Sequence, residues 1–156
     1  MTQSVSDFVK TYLPSTGGIS WPSLPSERED VARKLFGLGF VEAHDYWINR
    51  AIEIMDTGAP KLPPAFKREQ LIRQALAELP NEQRAAVVSL VEIAVHGALF
   101  SALTSIDQFP RADLSISVQD PETDNASIPI APTENELHEE FFDWLSQFST
   151  AYRGAA

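Results

Sequence analysis

Apolar residues recur at steps of three and four along most of the chain, and at one place the step shortens to two. Ser4 to Leu13 is expected to form a short first helix. Ser4 and Asp7 have capping-box spacing, and Phe8, Val9, Tyr12 and Leu13 share one side. Residues 14–25, PSTGGISWPSLP, break the period and predict a loop that Trp21 pins to the body. A second helix opens at Ser26, with Glu29 as its capping-box partner, and runs to about Met55 before Gly58. Phe40, Val41, His44, Ile48, Ala51, Ile52 and Met55 form its apolar side, and Glu42, Asp45, Asn49, Glu53 and Asp56 a solvated stripe. Gly37 and Gly39 each cost about 1 kcal/mol relative to Ala inside a helix, which predicts a break or kink there.

Residues 57–64, TGAPKLPP, read as a second loop, and Pro63 and Pro64 suit a helix N-terminus. The following helix should reach Leu79, with Leu71, Ile72, Ala75, Leu76 and Leu79 inward and Lys67, Arg68 and Arg73 outward. Pro80 ends it, and Asn81 is a fitting N-cap for a long helix over 82–108, closed by Pro110. Within it, Ala85 to Leu103 is apolar nearly all round. That length also fits a membrane span. Glu92 and His96 near its middle argue against one, because a carboxylate at a bilayer centre costs on the order of 2.5 kcal/mol or more. The expectation is therefore a central buried helix, no membrane, and Leu90, Ile93 and Phe100 in the core.

Leu114 to Val118 alternates with period two, DPETDN at 120–125 is a run of turn formers, and Ser127 to Ile130 reads as a return strand confined to an edge by Pro129. The hairpin should occupy 112–131. The last helix, 133–152, opens with Thr133 and Glu136 at capping-box spacing and carries Leu137, Phe141, Trp144, Leu145, Phe148 and Tyr152 as one stripe. The expected fold is mainly α: a single domain over 1–156, a bundle of about five helices with one small β-hairpin before the C-terminal helix.

Composition narrows the chemistry. The chain has 156 residues, 44% of them hydrophobic, which is globular and large enough for a core. It has no cysteine, so disulfides, thiolate nucleophiles and cysteine-ligated metals are excluded. The opening MTQSVSDFVK lacks a basic stretch followed by an apolar one, so a cytoplasmic location is expected. The net charge of −10 argues against direct nucleic-acid binding, which phosphate neutralisation by basic groups drives.

That charge is unevenly spread. Residues 1–111 hold 13 acidic and 11 basic side chains, whereas 112–152 hold nine acidic and no lysine or arginine. A negative face of this kind can steer a basic protein partner. Asp120, Glu122 and Asp124 are expected exposed at the hairpin tip, with Glu134, Glu136 and Glu140 in the first turns of the last helix. The leading expectation is a non-catalytic binding or regulatory protein without cofactor, such as an acidic inhibitor or bacterial immunity-type protein covering a basic partner.

The histidines supply an alternative of another class. His44, His96 and His138 fall on three different expected helices, and Glu92 lies one turn before His96. Helical bundles build metal sites from such facing side chains. A small metal-binding or hydrolytic enzyme would use Glu92 and His96 in catalysis and His44, His96 and His138 as ligands. No H-E-x-x-H or E-x-x-H spacing supports local chelation. Other motifs fail on inspection. LPNEQRAAVVSLVE resembles the start of the DNA-binding region 4 of sigma factors over about 14 residues. The continuation EIAVHGALFSAL has neither the turn nor the basic recognition helix, and the match is set aside. Asp120, Glu122 and Asp124 alternate as in a calcium loop, but Asn125 and Ala131 stand where glycine and glutamate are needed. No nucleophile elbow and no phosphate-binding glycine loop occurs.

Overall fold

Four helices and one antiparallel hairpin make up the described part of the computed structural model, which covers residues 8–9, 21–57, 66–108, 116–120, 127–131 and 136–152. In chain order they are α1 (Pro25–Thr57), α2 (Lys67–Ala77), α3 (Asn81–Asp107), β1 (Ile116–Gln119), β2 (Ser127–Ala131) and α4 (Leu137–Phe148). The protein is mainly α, with four described helices rather than about five. The expected first helix lies outside the described residues except for Phe8 and Val9, which are helical.

The hub is α1. It touches α2, α3, α4 and β2, and it passes through Gly37 and Gly39 without interruption. The expected break is absent because packing overrides the glycine penalty. A Cβ on Gly37 would sit 2.3 Å from Cδ2 of Trp144, so the missing side chain is what lets α4 lie this close. Around that contact the core collects Val31, Ala32, Leu38 and Val41 from α1, Ile128 and Ile130 from β2, Leu103 from α3 and the stripe of α4. Leu137, Phe141, Trp144, Leu145 and Phe148 are all buried, as their spacing predicts. Trp21 is buried against the same core, and Phe8 meets Phe148 edge-on at 4.9 Å.

The hairpin pairs Val118 with Ile128 and Gln119 with Ser127, with an irregularity between Ile116 and Ser117. On β2, Ile128 and Ile130 face the core while Ser127 and Pro129 face out, as an edge proline requires.

Three expectations are overturned. First, α3 is not the buried centre: Leu103 is its one fully buried residue, Leu90 and Ile93 are 65% and 68% exposed, and Phe100 is half-buried. With α1 as the hub, α3 offers one side to α1 and α4 and turns the other outward. Second, α2 is rotated from its expected setting. Leu71 and Ile72 are exposed, while Arg73 is buried with its guanidinium held by Glu69. An arginine stem is apolar enough to take an inward position when its head is paired. Third, α4 starts at Leu137, with Glu136 as an extended N-cap, and ends at Phe148, so Tyr152 lies beyond it. Residues 132–135 lie outside the described set. The cap comes from elsewhere: the Asp107 carboxylate at the end of α3 accepts from Leu137 N at 2.9 Å and His138 N at 3.0 Å.

Candidate functional site

His44 lies on the inward face of α1 and is fully buried. Glu92 and His96 lie four residues apart on α3, on the side that faces α1. The donor atoms of these three side chains all come within 4.8 Å of one another. The two imidazoles meet Nε2 to Nε2 at 2.9 Å, with planes 7° apart and centroids 4.8 Å apart. A centroid separation so much longer than the nitrogen contact means that ring heads, not ring faces, meet.

Asp45 orients this pair. His44 Nδ1 is 2.8 Å from Asp45 Oδ1, and the same carboxylate accepts from Ser149 Oγ, from Thr150 N at 2.7 Å and from Thr150 Oγ1 at 2.8 Å. An ionised carboxylate only accepts, which assigns the proton to His44 Nδ1 and leaves the His44 Nε2 lone pair aimed at His96. Burial pushes the Asp45 carboxyl upward, but hydrogen bonds from Ser149, His44 and Thr150 outweigh it and hold Asp45 below its ordinary value of 3.8. His96 is held below 6.5, by burial first and by His44 beside it second, while Glu92 pulls the other way. Tyr152 closes one side, its ring 5.5 Å from that of His96 and 6.3 Å from that of His44.

Two of the three histidines therefore converge and the third does not. His138 Nδ1 is 2.8 Å from Asp107 Oδ2, its Nε2 is 3.3 Å from Glu136, and its ring stands edge-on to Phe100. It clamps α4 to the end of α3.

The three described acidic candidates are also engaged. Asp120, expected at an exposed tip, is instead buried and paired at 2.7 Å with Arg28 of the first turn of α1. Glu140 accepts from Arg33 at 2.8 Å, and Arg33 also donates to Ile130 O. Glu136 faces His138. Glu122, Asp124 and Glu134 lie outside the described residues. Charge that is segregated along the sequence is thus partly interleaved in space, with arginines of α1 set against Asp120 just past β1 and Glu140 of α4.

The outer side of α3 is the other unusual surface. Ala86, Leu90, Ile93, Ala94, Gly97, Ala98, Ser101, Ala102 and Ser105 are exposed, and none is charged. A groove of about 350 Å³ lies between α1 and the start of α3. Its Arg84 is spent on the carbonyls of Leu79 and Met55, and Asp56 and Asn81 stand exposed on its lining.

Sequence reasoning missed Asp45, Asp107, Ser149 and Thr150. Adjacent helix positions do not share a face, so helical period assigns Asp45 to the solvated stripe. Its role exists only because the segment after α4 arrives beside it. No protein-family model, curated protein or solved structure matches the chain.

Proposed function

We propose that this chain is a non-catalytic binding protein that docks through the outer face of α3, and that the occupant of that face is a second copy of the chain. The observation that carries the reading is the exposure of Leu90 and Ile93 in the middle of a long uncharged helical face. Burying such a side chain contributes about 1.5–3 kcal/mol, and a contiguous apolar surface marks an interaction site. The acidic surface is the weaker contact element, since Asp120, Glu136 and Glu140 already hold internal partners.

The order of large and small residues supports a second copy. Leu90 and Ile93 occupy the first half of the face, and Gly97, Ala98, Ser101, Ala102 and Ser105 the second. In an antiparallel two-fold pair, Leu90 of one copy falls opposite Ser101 of the other and Ile93 beside Gly97, so knobs meet hollows twice over. The face, from Ala86 to Ser105, is about 30 Å long. Two such faces bury on the order of 1,000 Å² in total, which suits a reversible dimer rather than a permanent one.

Sedimentation of the full chain without detergent should show a concentration-dependent dimer that Ile93→Glu abolishes with its helix content intact. The chain has no cysteine, so Leu90→Cys with Ser101→Cys should cross-link two copies under mild oxidation, and Leu90→Cys alone should not. A monomer at every concentration, or a chain that leaves cell membranes only with detergent, refutes the reading.

A further inference from the structure

We infer that His44 Nε2, His96 Nε2 and a Glu92 carboxylate oxygen form a binding site for a divalent transition ion of the zinc class, with one coordination position left to solvent. The donor set is two imidazoles and one carboxylate, which suits zinc and its neighbours and is poorly matched to calcium or magnesium, whose ligands are oxygens. The donors come from two packed helices, α1 and α3, and lie within 4.8 Å of one another. His44 already has the outer support that metal-ligating histidines use: its far nitrogen is held by the Asp45 carboxylate, which leaves Nε2 as a lone pair directed into the cluster. Asp45 is itself held by Ser149 and Thr150. The ring of His44 is therefore fixed from behind before any ion arrives.

Two adjustments are needed. With His44 Nε2 as acceptor, His96 Nε2–H donates the contact between the rings, and on binding that proton passes to His96 Nδ1 so that Nε2 presents a lone pair. Two nitrogens on one tetrahedral zinc at 2.0–2.1 Å lie roughly 3.3–3.4 Å apart, whereas these stand 2.9 Å apart. His96 is only half-buried and has room to open that gap, while His44 stays fixed. Glu92 offsets one of the two positive charges, and Asp45 behind His44 offsets the second. Glu92 and His96 lie on the side of α3 opposite Leu90, so the site stands or falls independently of helix pairing.

The test uses the full untagged chain, stripped of metal and titrated with Co²⁺, then with Zn²⁺ as competitor. One ion per chain is expected, with the visible bands of a four-coordinate cobalt centre and a raised melting temperature, since an ion that binds the folded state stabilises it. Loss of a supporting residue alone weakens metal sites by about 10–100-fold, so His96→Gln and Glu92→Gln, which remove ligands, should each weaken binding by on the order of 100-fold or more. His138→Gln should leave it unchanged. Glu92→Gln is the safer variant because Glu92 is partly exposed and the change is isosteric. His44→Gln is not relied on, since His44 is fully buried. The inference is overturned if the folded chain shows no saturable binding of either ion, or if binding persists undiminished in Glu92→Gln and His96→Gln.

Discussion

Gly37→Ala tests the packing that organises the whole molecule. In an exposed helix this change would stabilise by about 1 kcal/mol, because alanine is the better helix former. At Gly37 the new methyl would lie 2.3, 2.5 and 2.7 Å from three atoms of the Trp144 indole, where ordinary contact starts near 3.4 Å. The ring would have to retreat by about 1 Å, yet Trp144 is 2% exposed and walled in by the core. Overpacking of this kind typically costs about 1–3 kcal/mol, and this displacement belongs at the upper end. The gain in helix propensity offsets part of it, leaving a net loss of roughly 2 kcal/mol. Gly39→Ala is the internal control, two residues along the same helix with nothing within 4 Å of its added Cβ. It should gain up to about 1 kcal/mol. Urea unfolding followed by far-ultraviolet circular dichroism measures both, at one protein concentration because self-association would add to apparent stability. For a chain of this size the losing variant should melt roughly 4–8 °C lower. Equal shifts in the same direction for the two variants would show that α1 and α4 do not meet as described.

Two further outcomes follow from the buried polar groups. The folded-state pKa of His96 lies below 6.5, so the unfolded chain takes up a proton first as pH falls. The stability it contributes is fully present above about pH 6.5 and is lost below it, towards the depressed folded pKa. Lower pH also relieves the repulsion of a chain carrying −10, so the decisive measure, with chelator present, is the difference between the native chain and His96→Gln from pH 7.5 to 5. Identical profiles for the two would contradict the assignment. Asp107→Ala removes the cap from Leu137 N and His138 N and the partner of His138 Nδ1. It should cost about 1–2 kcal/mol in urea unfolding, and a loss under about half a kcal/mol would count against that role.

The legible parts of this fold are those whose pattern is strongly one-sided. The α4 stripe from Leu137 to Phe148 has a single apolar face, and the structure buries that face. The alternation around Ile128 and Ile130, with Pro129 between them, likewise identifies an edge strand. On α1, the spacing of Val41, His44, Ile48, Ala51 and Met55 identifies the inward side correctly. On α3 the pattern is silent, because a helix apolar all round carries no stripe to say which side is covered; hydrophobicity reports aversion to water, not the identity of the cover. At Arg73 the charged head points to an outward setting, whereas the stem is apolar and Glu69 satisfies the head. At the site, the proximity of Glu92 and His96 is visible in their spacing. Their meeting with His44 is not, because 52 residues separate the two histidines and only the packing of α1 against α3 brings them together.

The placement of Asp45 and Asp107 has a mechanical consequence for α4. One carboxylate, from α3, pins its first residues, and another, from α1, pins the segment just past its last. A short helix normally loosens from its ends inward. Here each end is moored to a different neighbour, like a beam built into two walls, so fraying from either end first breaks a carboxylate contact. The hairpin that precedes it is anchored separately, through Ile128 and Ile130 in the core, and separation of α4 from the body is coupled to loss of its grip on α1 and α3 together.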